Sequence, residues 1–279
     1  MEEADLVVIN MCSVRQPAVD RVFGFAQKLK KLQTTNYKLQ TILTGCILKK
    51  DEKIFRNIFD YVRREPWSSS YVSSKYIPIS NGCDNFCTYC VVPHTRGPLV
   101  CRNHKDVLRE IKKSVARGFK EIWLLGENVN RYLSGTINFA KLLKMADAIP
   151  GNFKIRFMSP NPADFTDELI DTMAKCQKVA HYLNLPVQSG DDGILKKMNR
   201  PYTAQQYKNL VKKIREKIPD INLSTDVIVG FPGETKKQFN NTAKLFKKIK
   251  FNIAYISKYS PRSGTAAFRI KDDVTIKEK

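Results

Sequence analysis

The stretch Tyr76-Ile77-Pro78-Ile79-Ser80-Asn81-Gly82-Cys83-Asp84-Asn85-Phe86-Cys87-Thr88-Tyr89-Cys90 decides both the fold and the chemistry. It opens with a short apolar run that reads as a buried strand. It then passes through Gly82 into cysteines spaced C-x3-C-x2-C. Three thiolates in one loop can surround a cube-shaped iron–sulfur cluster and leave its fourth iron open to a substrate. Cys87 and Cys90 alone form the C-x2-C pair of many zinc sites. Zinc needs a fourth ligand, however, and His94 and Cys101, the nearest candidates, lack the usual spacing.

Downstream, short apolar runs alternate with amphipathic segments, which predicts repeated βα units around a parallel sheet. Strands are expected at residues 76–80, 121–126, 153–159, 181–187, 222–230 and 252–259. Helices are expected at 105–117, 138–149, 166–176, 203–218 and 234–248. Six strands with five crossovers predict an α/β fold, a partial, laterally open (β/α)6 barrel, with a doubly wound open sheet as the alternative. Upstream, residues 1–66 read as a smaller βαβα domain, with strands at 5–9 and 39–43 and helices near 19–32 and 54–63. Pro66-Trp67-Ser68-Ser69-Ser70 reads as a linker, placed at 67–75, which leaves 76–279 for the barrel.

With 279 residues and 42% hydrophobic content, the chain can bury a sizeable core. No run of about 18 apolar residues occurs. Met1 to Asp5 is acidic and leads straight into Leu6-Val7-Val8-Ile9, unlike a secretory leader. A soluble, cytoplasmic, monomeric protein that does not engage membranes is therefore expected. The net charge of +21 suits a polyanionic partner such as RNA, although solvated lysine-rich helix faces produce the same excess. Residues 1–66 hold 12 Lys and Arg against 8 Asp and Glu, so +17 of the surplus falls on the rest. Seven cysteines without a secretory leader point to metal ligation or buried thiols instead of a disulfide framework.

C-x3-C-x-aromatic-C after a first barrel strand resembles the loop of radical S-adenosylmethionine (SAM) enzymes. The likeness extends over residues 76–267. Gly82 to Pro93 with Arg96-Gly97, Leu124-Leu125-Gly126-Glu127-Asn128-Val129-Asn130, Leu185-Pro186-Val187-Gln188-Ser189-Gly190, Met198-Asn199-Arg200-Pro201-Tyr202-Thr203, Ser224 to Thr235 and Tyr259-Ser260-Pro261-Arg262-Ser263-Gly264-Thr265 all resemble the methylthiotransferase family. Asn128-Val129-Asn130 resembles its MiaB-type branch, which methylthiolates isopentenyladenosine beside the tRNA anticodon. In residues 1–66, Asn10-Met11-Cys12-Ser13-Val14-Arg15 and Gly45-Cys46 resemble the second and third ligands of the family's auxiliary cluster. By themselves these two cysteines read as buried strand-end thiols. The family carries its first auxiliary cysteine on an earlier βα unit and an RNA-binding barrel after the radical SAM domain. The chain as given is therefore expected to be truncated at both ends.

The resemblance implies a ligand set and a mechanism. Cys83, Cys87 and Cys90 would hold a [4Fe-4S] cluster that binds SAM, whose reductive cleavage gives a 5′-deoxyadenosyl radical. That radical would take hydrogen from carbon 2 of the modified adenine. A second SAM would methylate sulfur at an auxiliary [4Fe-4S] cluster, held in part by Cys12 and Cys46. Tyr89, Gly126, Glu127, Gln188, Arg200 and Asp226 are the implied cofactor-binding residues, and no catalytic acid or base is assigned. The implied partners are the tRNA anticodon stem-loop and an electron donor such as flavodoxin or ferredoxin. Threonylcarbamoyl-adenosine in tRNA and an aspartate of a ribosomal protein are the alternative substrates, and a catalytically incomplete SAM- and RNA-binding remnant is a further alternative. His94, His104 and His181 read as surface or strand-end residues. Cys101 and Cys176 read as bystanders, Cys101 being near enough in sequence to approach a cluster. Gly230-Phe231-Pro232-Gly233-Glu234 lacks the Lys-Ser/Thr of a phosphate loop and reads as a strand-to-helix turn lining the SAM pocket.

Overall fold

The computed structural model describes residues 5–12, 16–35, 38–47, 49–63 and 74–279. The chain divides into two compact units, residues 1–71 and 72–279. Residues 67–73 of the expected linker lie outside the described residues, while Ser74 and Lys75 already belong to a strand.

The larger unit contains six parallel strands, Ser74–Pro78, Glu121–Leu125, Lys154–Phe157, Tyr182–Asn184, Asn222–Val229 and Ile253–Lys258. The first pairs with the second, the second with the third, the fourth with the fifth, and the fifth with the sixth. The third meets the segment leading into the fourth through one parallel bridge, Ile155 to Val179. There Ile155 N donates to Lys178 O at 2.7 Å and Ala180 N donates to Ile155 O at 2.9 Å. Spatial order therefore follows chain order from one to six. A doubly wound sheet reverses its order at a switch point, so this sequential order identifies the partial barrel. Among the described residues no ladder joins the sixth strand to the first, and the barrel stays open along that seam.

All six expected strands and five expected helices are present. The helices are His104–Ala116, Phe139–Asp147, Asp167–Lys175, Ala204–Lys217 and Lys236–Ile249. Asn103, Asn138, Thr166, Thr203 and Thr235 cap their amino ends, the last two in reciprocal capping boxes with Gln206 and Gln238. The last helix starts at Lys236, not 234, because the Glu234 carboxylate closes the preceding turn by accepting from Gly230 N at 2.6 Å. The expected strand 76–80 is split. After Pro78 the chain turns into Ser80–Asn81, which pairs antiparallel with Val100–Cys101. A helix at Asp192–Lys197 was not anticipated, since 6 residues carry too little periodicity to read.

Alternate strand residues point to opposite faces. Ile77, Ile122, Leu124, Ile155, Phe157, Leu183 and Leu223 join helix residues such as Ile111, Leu143 and Ile214 in one continuous core. Intervening residues meet one another instead. Tyr76 stacks on Trp123 at 6.1 Å, and Trp123 meets Tyr182 edge-on at 6.4 Å. The Arg156 guanidinium lies 5.4 Å from the Trp123 ring and pairs with Glu121 at 3.1 Å. Burial works to raise the Glu121 carboxyl, but hydrogen bonds from Trp123 and Ser74 and the charge of Arg156 outweigh it and hold the carboxyl low. This aromatic and ionic cluster occupies the amino end of the strands, while a βα barrel carries its chemistry at the carboxyl end.

The smaller unit is a three-stranded parallel sheet of Leu6–Cys12, Gln40–Cys46 and Tyr61–Arg63, in that order. Helices Gln16–Thr35 and Lys49–Arg56 connect the strands. The helix expected near 54–63 is thus corrected to an earlier helix followed by a third strand. Tyr61-Val62-Arg63 suits a strand by its aromatic and β-branched residues, and Asp60 fastens it by accepting from Thr41 N at 2.7 Å and Thr41 Oγ1 at 2.8 Å. Among the described residues no helix is long and apolar enough to cross a membrane.

Candidate active site

The cysteine loop leaves the first barrel strand through Gly82, at φ 79°, where a side chain would collide with the Pro98 carbonyl. Cys83 and Cys87 are buried and Cys90 is half-buried. Distant segments brace the loop. Arg131 Nη1 donates to Asn85 Oδ1 at 3.0 Å, Asn199 Nδ2 to Phe86 O at 2.8 Å, and Ala267 N to Thr88 O at 2.8 Å. Thr88 in turn donates from Oγ1 to Lys197 O at 2.8 Å and from its amide to Met198 O at 3.1 Å.

Each sulfur accepts one N–H. Asn85 N reaches Cys83 Sγ at 3.4 Å, Arg200 Nη1 reaches Cys87 Sγ at 3.5 Å, and Val92 N reaches Cys90 Sγ at 3.5 Å. Burial pushes the Cys83 thiol up and takes Cys90 to about 11, with the neighbouring sulfurs adding to both shifts. Three thiols whose charges act on one another become thiolates together only when a polycation compensates their charge. Among the described residues no three His, Cys, Asp or Glu side chains converge tightly enough to hold a single metal ion. A four-iron cluster takes one thiolate per iron and spreads its ligands wider, so the donor set fits such a cluster.

Gly126 ends the second strand, and a Cβ there would collide with Ser80 Oγ. Glu127 follows, 3.8 Å from Arg96 Nε, and its charge acts on Cys83. Gly126 and Glu127 thus share the carboxyl end of the barrel with the cysteine loop. Tyr89 packs its ring on a small core of Ile194, Met198, Phe231, Tyr259 and Ala267. Arg200 lies against Cys87 and Tyr202. Gln188 and Asp226 are joined to each other, Gln188 N donating to Asp226 O at 2.9 Å. Cys12 and Cys46 are paired residues in adjacent parallel strands of the smaller unit.

Sequence reasoning missed the loop's braces. Arg131 and Asn199 act across 46 and 113 residues, and only the tolerance of Asn for positive φ offered a hint, Asn199 standing at φ 56°. Asn128 and Asn130 tie the loop after the second strand to the loop after the third. Asn128 Nδ2 donates to Asp164 Oδ2 at 2.7 Å, and Asn130 Oδ1 accepts from Asn161 N at 2.8 Å. Ser159 and Gln188 take φ of 59° and 68° just beyond the third and fourth strands, where strained backbone often marks function. Cys101 packs against the main core and accepts from Leu133 N at 3.4 Å, and Cys176 is buried in that core. His94 is exposed, His104 meets Ser134 Oγ at 3.1 Å, and His181 meets Asp220 at 2.7 Å. The turn from Gly230 to Glu234 buries Phe231 beside Tyr259.

Two family models match the chain, the Radical SAM superfamily over residues 77–246 and Uncharacterized protein family UPF0004 over residues 1–63. The chain is 39% identical to a tRNA-2-methylthio-N(6)-dimethylallyladenosine synthase of Carboxydothermus hydrogenoformans, covering 97% of this chain and 71% of that protein. It is 38% identical to the synthase of Endomicrobium trichonymphae, covering 100% of this chain and 73% of that one. Among solved structures, the radical SAM methyltransferase TsrM of Kitasatospora setae superposes with a TM-score of 0.62 at 20% identity, over 74% of this chain and 40% of that one. The cobalamin-dependent SAM radical enzyme OxsB gives 0.60 at 12% identity, over 95% and 46%. These two support the fold alone. With a matching barrel model and relatives this similar over nearly its whole length, the chain belongs to the radical SAM superfamily and, within it, to the family of the tRNA-2-methylthio-N(6)-dimethylallyladenosine synthases.

Proposed function

We propose that the chain is a radical SAM methylthiotransferase that converts N6-dimethylallyladenosine beside the tRNA anticodon into its 2-methylthio derivative. The observation that carries this reading is the similarity of 97–100% of the chain to synthases of that nucleoside. Cys83, Cys87 and Cys90 are assigned as ligands of one [4Fe-4S] cluster, each sulfur already receiving a hydrogen bond. When bound, the cluster supplies the electron that cleaves SAM and so generates the oxidant needed at an unreactive C–H bond.

The chain's own residues do the remaining work in this reading. The braces on Asn85, Phe86 and Thr88, two of them from the exposed side chains of Arg131 and Asn199, hold the three sulfurs in place. Gly126 brings bare backbone to the barrel mouth, and Glu127 places a carboxylate there that can accept from an ammonium group. Gln188 and Asp226 line the same carboxyl end, and Tyr89 shields the loop from water, which limits quenching. Cys12 and Cys46, at the carboxyl ends of neighbouring strands, are assigned to the auxiliary cluster. The surplus of 48 Lys and Arg over 27 Asp and Glu supplies the attraction for the anticodon stem-loop. The setting is cytoplasmic, with flavodoxin or ferredoxin as reductant.

The test is expression in a bacterium lacking its own synthase, followed by mass spectrometry of tRNA nucleosides. Dimethylallyladenosine should fall as its 2-methylthio form rises. Methylthiolation of threonylcarbamoyl-adenosine instead would reassign the substrate.

A further inference from the structure

Arg200 matches a family motif, yet its contacts are with the cysteine loop and its supports. Nη1 donates to Cys87 Sγ at 3.5 Å, Nη2 to Pro186 O at 3.2 Å, and Nε to Tyr202 Oη at 2.8 Å. The guanidinium carbon also lies 5.1 Å from the centre of the Tyr202 ring. Tyr202 is itself buried and fixed, its hydroxyl donating to Val187 O at 3.0 Å. The cation is therefore held on three sides, in an orientation only a planar fork can satisfy.

Charge around the three sulfurs is uneven. Glu127 and Asp84 act on Cys83 as negative neighbours, and Glu127 is shared with Arg96. On the other side, Arg200 is the cation acting on both Cys87 and Cys90. A four-iron cluster gains one negative charge on reduction, and its potential follows net charge and hydrogen bonds to its sulfurs. A half-buried cation is weakly screened by salt.

We infer that Arg200 is a positioning residue that sets the reduction potential, its guanidinium against Cys87 Sγ favouring the reduced form of the cluster. This rests on the assignment of Cys83, Cys87 and Cys90 as ligands. In this role Arg200 keeps the cluster within reach of a biological one-electron donor.

The test uses the full chain, reconstituted anaerobically, with Arg200→Gln, Arg200→Lys and Tyr202→Phe. The readouts are iron content, the cluster's midpoint potential by EPR-monitored titration, and SAM affinity by calorimetry. Arg200→Gln should keep the iron content of wild type and show a roughly tenfold smaller reduced-to-oxidised ratio of this cluster at fixed potential. That equals a midpoint lower by about 59 mV for a one-electron couple. Arg200→Lys, which keeps the charge, should recover most of the loss, and Tyr202→Phe, which frees the cation on one side, should show a smaller shift of the same sign. A wild-type midpoint in Arg200→Gln with SAM affinity lost would overturn the inference and return Arg200 to SAM binding. If Arg200→Gln fails to hold iron, an unchanged midpoint in Tyr202→Phe overturns it equally. Wild-type protein that binds no four-iron cluster would instead defeat the ligand assignment.

Discussion

Gly126→Ala isolates one close approach at the mouth of the barrel. Gly126 is not among the residues with positive φ, so alanine meets no backbone penalty there. The obstacle is a single atom. A Cβ on Gly126 would collide with Ser80 Oγ, while Ser80 Cβ stands at 3.7 Å, an ordinary contact. Ser80 is 5% exposed, and its hydroxyl has no hydrogen-bond partner among the described residues. Overpacking of this kind costs about 1–3 kcal/mol, which at a urea slope of about 2 kcal/mol/M lowers the midpoint by roughly 0.5–1.5 M. Ser80→Ala removes a buried hydroxyl that gains nothing from folding, so it should be neutral or slightly stabilising. The double variant should recover most of the loss, with a coupling of about 1–2 kcal/mol in a double-mutant cycle. Urea unfolding followed by circular dichroism reads all four proteins. A Gly126→Ala protein as stable as wild type, or one that Ser80→Ala does not rescue, would refute the steric argument.

Three other outcomes follow from the site and its supports. Alanine at Cys83, Cys87 or Cys90 should abolish cleavage of SAM to 5′-deoxyadenosine in reconstituted protein, and a single variant that still cleaves would remove that cysteine from the ligand set. Asp191 accepts from Ile194 N, Gln238 Nε2 and Asn241 Nδ2 at 3.2, 2.9 and 2.8 Å. Burial works to raise its carboxyl, but these bonds hold it below the ordinary 3.8, so its stabilisation is present at neutral pH and lost as pH falls below about 4. Asp191→Asn should cost about 1–3 kcal/mol at pH 7 and less at pH 3, and an equal cost at both would contradict this. Glu234 behaves oppositely. Burial raises its carboxyl above 4.5, so it weakens the fold as pH rises through that raised value. Glu234→Gln should therefore compare more favourably with wild type at pH 7 than at pH 4, as thermal melts at the two values would show.

What was legible in the sequence was whatever repeats locally. The first five barrel strands could be read because they bury hydrophobic residues, as Ile122 and Leu124 do beside Glu121 and Trp123; the sixth, Ile253–Lys258, has no fully buried residue and was legible only by its apolar and aromatic composition. The cysteine loop could be read because its three cysteines lie within eight residues. The third strand of the smaller unit escaped because Tyr61–Arg63 is only 3 residues long and follows apolar Ile58 and Phe59, which extend a helical pattern. The braces escaped for a different reason. Asn199 and Arg131 meet the loop only in three dimensions, through one hydrogen bond each. The placement of Arg200 against Cys87 escaped likewise, since its motif alone pointed to SAM.

This chain is expected to use SAM to remove hydrogen from carbon 2 of dimethylallyladenosine in tRNA. Anaerobically reconstituted protein would be given SAM, a reductant and tRNA carrying deuterium at that carbon alone, and the 5′-deoxyadenosine would be weighed by mass spectrometry. The 5′-deoxyadenosine should gain one deuterium, and gain none when deuterium sits on the dimethylallyl group instead. Turnover of SAM with no deuterium transferred from carbon 2 would contradict it.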